Sequence, residues 1–278
     1  MGKSDTTFIA IGGGQLTKAE SVIERMLESL KTKRDPRIVV LTVATNEPDA
    51  AVDKYNSLFR ARGIKHVDSI DVSERKHALS KRAIAKVERA DAMFFTGGDQ
   101  LNITTLLGGS PLGDAIRNKV RGGTIVAGTS AGAAMMSKWM IISGASDKGP
   151  KVGGVDIAPG MDLFDSMIID THFSERGRHG RLIAAIAHFP QAIGVGLDEN
   201  TAIFVKGSKL RIVGNGTVTI MDGSSVTIND LPYRGEGEKL GIAGVTVDVL
   251  PEGYQYDIKK RVAIPPPLKK IRFASDEE

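Results

Sequence analysis

The 278-residue chain has no cysteine. That excludes disulfides, thiolate metal sites and a cysteine nucleophile, and it suits a cytoplasmic protein. Aromatic residues are few, with nine Phe, four Tyr and one Trp. So sparse a supply argues against a surface that stacks nucleic-acid bases. Neither sign of charge dominates: 37 Lys and Arg against 33 Asp and Glu leave a net charge of +4, dispersed along the chain. A basic stripe for nucleic acid is therefore not expected. No apolar run approaches the ~18 residues of a membrane helix. Residues 1–7 lead straight into a strand-like run without the apolar core of a signal peptide. A cytoplasmic location, with no membrane or nucleic-acid partner, is the expectation.

What is present is a regular alternation. Apolar, β-branched runs at Thr7–Ile11, Arg37–Val43, Asp91–Thr96 and Thr124–Ala127, and an alternating run at His66–Asp71, read as strands. Helical segments separate them. One starts at a Thr17 cap with Glu20 at capping-box spacing. Another covers 50–62 with Val52, Tyr55, Leu58 and Phe59 on its apolar face and Gly63 beyond its end. A third covers 73–89. Such βα repeats predict a mostly parallel sheet flanked by helices, with sites outside the carboxyl ends of the strands. From residue 202 to about 258, short β runs joined by glycine turns predict antiparallel hairpins. Residues from about 264 onward read as a loose tail. The expected organisation is one α/β catalytic domain over 1–278.

The centre of interest is Gly128-Thr129-Ser130-Ala131-Gly132, a G-x-S-x-G sequence between a strand and a helix expected over 131–140. A serine on such a turn has the setting of an activated nucleophile. The new helix turns free N–H groups toward a developing oxyanion. Ala131 N–H and one donor from Gly97-Gly98-Asp99 are the candidate oxyanion groups. A serine needs a base, and the base an orienting acid. Of five histidines, His172 directly follows the apolar strand 167–170. His66 and His77 lie in polar surroundings, His188 sits near a helix end, and His179 lies among arginines. For the acid, Glu199 and Asp198 end the next strand, and Asp147 lies in a polar loop. Arg176, Arg178 and Arg181 suggest a clamp for a substrate carboxylate, and Asp170 adds the opposite sign.

The first glycine turn, Gly12-Gly13-Gly14, lacks the third glycine and the downstream acid of a dinucleotide fingerprint, and no Walker A sequence is present. No nucleotide cofactor is expected.

Four blocks together resemble the cyanophycinases, members of a serine peptidase family that also contains the aspartyl dipeptidases. They are Thr96-Gly97-Gly98-Asp99-Gln100, Gly128 to Ala134, Asp170 to Arg181 as D-x-H-F-x-x-R-x-R-x-G-R, and Gly196 to Ile203. The resemblance extends over roughly residues 7–250. It implies a fold like the class I glutamine amidotransferases. It also implies hydrolysis of the polymer cyanophycin to β-Asp-Arg dipeptides, without a metal or other cofactor, by a homodimer. Ser130 would be the nucleophile, His172 the base and Glu199 the acid, with Gly98 and Ala131 N–H groups as the oxyanion donors. Gln100, Asp170, Arg176, Arg178 and Arg181 would line the substrate pocket. Thr171 stands where the family often has Gln, and Gly12-Gly13-Gly14-Gln15-Leu16 lacks an acidic pair common there. A dipeptidase acting on α-aspartyl or isoaspartyl peptides is the alternative within the family. A catalytically silent binding protein on the same fold is the alternative outside it.

Overall fold

The computed structural model describes residues 6–144, 149–164 and 166–267. The amino-terminal half alternates β1 (Thr7–Ile11), α1 (Glu20–Glu28), β2 (Arg37–Leu41), α2 (Pro48–Arg60), β3 (His66–Ile70), α3 (Lys81–Glu88), β4 (Ala92–Phe95), α4 (Gln100–Leu107), α5 (Pro111–Arg121), β5 (Ile125–Thr129) and α6 (Ala131–Ala134). Then follow a hairpin, β6 (Trp139–Gly144) and β7 (Val155–Pro159), and the unit β8 (Met167–Thr171), α7 (His179–His188) and β9 (Ile193–Leu197). Antiparallel strands complete the chain: β10 (Thr201–Lys206), β11 (Lys209–Gly214), β12 (Thr217–Asp222), β13 (Ile228–Asn229), β14 (Ile242–Ala243), β15 (Thr246–Pro251), β16 (Gln255–Asp257) and β17 (Val262–Ile264).

The large sheet has the order β17-β16-β11-β10-β1-β5-β4-β2-β3. From β1 to β3 all neighbours are parallel, which the helical crossovers require. From β1 to β17 all are antiparallel, and short turns join β10 to β11 and β16 to β17. The α/β class and the carboxy-terminal antiparallel strands follow the sequence pattern. The second sheet, β15-β12-β9-β8, does not. Strands β8 and β9 pair with each other, and β9 with β12, rather than extending the parallel sheet.

Alternation along the strands explains the layers. Ile9, Ile11, Ile38, Val40 and Phe94 face α1 and α2, where Val22, Met26, Tyr55 and Phe59 cover them. Phe94 takes Tyr55 and Phe59 at ring distances of 4.7 and 5.5 Å. Burying each such ring contributes about 1.5–3 kcal/mol. The alternate residues, Val39, Leu41, Met93, Phe95 and Val126, share a core with α5 and with Met167, Ile169 and Val195 of the second sheet. Ile168 points the other way, to Leu182 and Ile186 of α7.

Several boundaries differ from expectation. The first helix starts at Glu20 with Ala19 as an uncapped N-cap, so Thr17 lies in a turn before it. The segment 73–89 divides into a 3-10 turn, Arg75–Leu79, and α3, because Ser80 caps α3 by accepting the Ala83 N–H. The helix after Ser130 stops at Ala134 instead of 140. Met135 and Met136 are fully buried, and Trp139 starts a strand. Ser143 and Gly144 close β6, β7 is additional, and β17 carries the antiparallel strands past 258 to the edge of the expected tail. Asp147 and residues 268–278 lie outside the described residues. Among those described, no helix is long and apolar enough to cross a membrane.

Candidate active site

The β5–α6 turn places Ser130 at φ 53° and ψ −116°. An L-residue pays about 1–3 kcal/mol for such a conformation. The turn is held from two sides. Ser130 N–H donates to the Ile11 carbonyl at 2.9 Å. Gly132 lets α6 approach β4, since a Cβ there would lie 2.8 Å from the Phe95 carbonyl carbon. The hydroxyl is thereby lifted clear of the backbone, as the glycine-flanked sequence requires.

Facing it, Ser130 Oγ lies 2.9 Å from His172 Nε2, and His172 Nδ1 lies 2.7 Å from Glu199 Oε1. His172 follows β8 directly and itself adopts φ 48°. Its N–H donates to the Gly12 carbonyl at 2.8 Å. Glu199 follows β9, and the next residue, Asn200, donates its N–H to the Gly13 carbonyl at 3.0 Å. The serine turn thus comes from the large sheet, and the imidazole and carboxylate from the second sheet. Three consecutive carbonyls at the end of β1, those of Ile11, Gly12 and Gly13, bind them together. Gly13 has φ 101°, and a Cβ on it would lie 2.5 Å from His172 Nε2. This first glycine turn carries no nucleotide-binding pattern; its place at a strand's carboxyl end, beside the turns at Gly97 and Gly128, is legible in the sequence, and its close contact with His172 is not. Three glycines in a row at the end of a buried strand were the available signal.

The acid alternatives separate. Asp198 faces away from the imidazole and accepts hydrogen bonds from Ser174 N–H at 3.1 Å, Thr217 N–H at 2.9 Å and the Thr217 hydroxyl at 2.7 Å. Burial pushes its carboxyl up, but the bonds from Ser174 and Thr217 outweigh burial and hold it below the usual carboxylate range. Glu199 N–H is fixed by the Glu175 carboxylate at 3.0 Å.

The arginine-rich segment divides. Asp170, 2 % exposed, accepts Arg181 Nε at 2.6 Å and Arg178 Nη1 at 3.2 Å, and also pairs with Arg181 Nη2. Arg181 is 7 % exposed and Thr171 4 %. The Thr171 carbonyl takes a further bond from Arg178. These residues form an ion cluster behind the β8 end, in which the Asp170 carboxylate is shared by two guanidinium groups. Burial lowers the Arg178 guanidinium to about 10, with Asp170 opposing and the neighbouring Arg181 and Arg176 reinforcing. Gln100, at the start of α4, donates to the Ile141 carbonyl at 2.7 Å and so holds β6. Arg176 alone of the three arginines is exposed and without an ion pair among the described residues.

A cleft of about 360 Å³ opens over Ser130 and His172. Gly13, Gly14, Thr96 and Gly97 form its near side, and the start of α2 forms its far side. Gly97 packs closest to the serine, where a Cβ would lie 3.4 Å from Ser130 Cβ. The Gly97–Gly98 peptide therefore flanks the hydroxyl. Ala131 opens α6, so its N–H has no partner within the helix. Tyr55 lines the cleft from α2, and burial pushes its phenol up from 10.0 to about 12. It is a neutral group at neutral pH. The arrangement offers an aligned hydroxyl, imidazole and carboxylate beside an open cleft, which is the equipment of acyl transfer through an enzyme ester.

Comparison with known proteins agrees with this chemistry. The cyanophycinase of Trichormus variabilis is 34% identical over 262 residues, covering 94% of this chain and 88% of its own. That of Synechococcus elongatus is 37% identical over 240 residues, covering 84% and 74%. A crystal structure of a peptidase from an acI-B1 Actinobacterium shares the fold, with a TM-score of 0.67, 19% identity and coverage of 91% of this chain and 96% of that one. The model of peptidase family S51 matches residues 8–213. That span runs from β1 into the antiparallel strands and takes in Ser130, His172 and Glu199, and the chain belongs to peptidase family S51.

Proposed function

We propose that this protein is a cyanophycinase, a serine peptidase that hydrolyses cyanophycin to β-Asp-Arg dipeptides. The observation that carries the reading is the 34–37% identity to named cyanophycinases over most of the chain. The aligned hydroxyl and imidazole of Ser130 and His172, 2.9 Å apart, support it.

The mechanism uses this chain's own groups. Ser130 Oγ attacks the scissile carbonyl carbon as His172 Nε2 takes its proton. Glu199 accepts the Nδ1–H bond and stabilises the imidazolium. The N–H groups of Ala131 and Gly98 stabilise the oxyanion. Collapse of the tetrahedral species breaks the C–N bond, and the imidazolium protonates the departing amine. Water, deprotonated by His172, then attacks the ester, and the proton returns to Ser130. Arg176, exposed four residues after His172, binds an α-carboxylate. In cyanophycin each arginine is joined through its α-amine to an aspartyl β-carboxyl, so every arginyl branch keeps a free α-carboxylate, which an ordinary peptide offers only at its end.

The test is incubation of purified protein with insoluble cyanophycin, followed by mass spectrometry of the soluble products. Release of β-Asp-Arg that disappears in Ser130→Ala supports the reading. Cleavage of soluble aspartyl dipeptides alone moves the substrate to the dipeptidase alternative. Hydrolysis of neither overturns the enzymatic assignment.

A further inference from the structure

The cleft over Ser130 has a second wall that the arginine-rich segment does not reach. Glu47, Ala50, Ala51 and Lys54 line it. Their spacing, i, i+3, i+4 and i+7, puts them on one face of α2 and its N-cap. That face is opposite in character to the apolar one formed by Tyr55, Leu58 and Phe59, of which only Tyr55 also reaches the cleft. Two alanines separate the charged ends and leave the space between them open. The backbone positions of Glu47 and Lys54 stand about 10 Å apart along the helix, from seven residues at ~1.5 Å each.

Both charges are available. Glu47 and Lys54 are exposed, and neither has an ion pair among the described residues. Lys54 Nζ rests only over the Tyr55 ring, 5.5 Å from its centroid. The other carboxylates around the relay are engaged. Asp170 is paired with two arginines, Glu199 holds His172, and Glu175 accepts the Glu199 N–H. A second feature marks the cleft as built for a polar ligand. Thr96 lines it and is 2 % exposed, and its hydroxyl has no hydrogen-bond partner among the described residues. A buried hydroxyl left unpaired costs about 1–3 kcal/mol in general, a cost that a bound polar ligand removes.

We propose that this face of α2 is a charge-reading subsite, in which Glu47 takes the guanidinium of an arginyl branch and Lys54 takes an α-carboxylate. The assignment rests on the cyanophycin reading above. It gives a cationic side chain the one unengaged carboxylate that lines the cleft among the described residues. It also lets the substrate lie across Ser130, with Arg176 beyond His172 and Lys54 on α2.

The test compares wild type, Glu47→Gln and Lys54→Met on soluble β-Asp-Arg oligomers and on matched oligomers with citrulline in place of arginine. Citrulline keeps the shape and loses the charge. In Glu47→Gln, the preference for arginine over citrulline, read as the ratio of kcat/KM values, falls about two- to fivefold, the range of a solvent-exposed ion pair. In Lys54→Met, KM rises by a similar factor for both oligomers. Circular dichroism and melting curves confirm that each variant is folded. A wild type that cleaves the arginine oligomers, with both variants matching it in ratio and KM, overturns the subsite and leaves the substrate reading standing. A wild type that cleaves neither oligomer overturns the substrate reading, and the subsite with it.

Discussion

His172 hangs from Gly12. Its backbone N–H donates to the Gly12 carbonyl at 2.8 Å, while its ring spans from Ser130 Oγ to Glu199 Oε1. The residue before Gly12 holds the serine turn and the residue after it holds Asn200. The relative positions of the hydroxyl, imidazole and carboxylate are therefore set by one short stretch of backbone.

Gly13→Ala should damage the site without unfolding the protein. The added methyl would meet the His172 ring, and φ 101° is itself unfavourable for alanine. We expect kcat to fall by about 10²-fold, as for small misplacements of a catalytic group, with far-ultraviolet circular dichroism unchanged. Near-wild-type turnover would remove Gly13 from the account of the site.

Ser130→Ala should lower kcat by about 10⁴-fold or more while the protein still sediments with insoluble polymer. Removal of the hydroxyl takes away the covalent step and leaves the cleft intact. Residual turnover near wild type in purified protein would exclude Ser130 as nucleophile.

Glu199 and Asp198 are neighbours with different expected effects. Glu199→Gln should cut kcat by about 10²- to 10⁴-fold with little change in melting temperature, since the side chain is one-third exposed, at 35%. Asp198→Asn should instead cost about 1–3 kcal/mol of stability at neutral pH. The pH dependence follows from the direction of its shift. A carboxyl held below its ordinary 3.8 contributes stability that is present above that value and is lost as pH falls through the folded value. The Asn variant should therefore show a shallower loss of stability on the acid side, read from melts across pH 2–6.

Asp170→Asn should destabilise the fold by about 3–5 kcal/mol, because it leaves two buried guanidinium groups without their carboxylate. Arg176→Ala should leave the melting temperature unchanged and raise KM for the β-aspartyl substrate. If Asp170→Asn alters KM alone, the buried cluster belongs to the substrate site after all.

Much of this was legible in the sequence, and the reasons for the rest are physical. The Ser130 turn announces itself by its flanking glycines, strand and helix, and His172 and Glu199 by their places after apolar strands. Pairing is another matter. Nothing in Met167–Thr171 or Ile193–Leu197 says which strands they join, so a second sheet was hidden, although strand ends still converged. The three arginines look alike in sequence, yet Asp170 at the end of an apolar strand draws two of them inward and leaves Arg176 outside. In α2 the apolar stripe drew attention to Tyr55 and Phe59. The Glu47, Ala50, Ala51 and Lys54 face had the same helical spacing, but only the fold shows that it overlooks the serine.

The anchoring of the site to Ile11, Gly12 and Gly13 also sets a time at which it can exist. Those carbonyls leave the ribosome early, while their partners at Ser130, His172 and Asn200 emerge far later. Contacts so distant along the chain form late in folding. A nascent or truncated chain ending before Glu199 holds the serine but lacks the completed relay. The aligned hydroxyl, imidazole and carboxylate therefore exist together only once the chain has been made through Glu199.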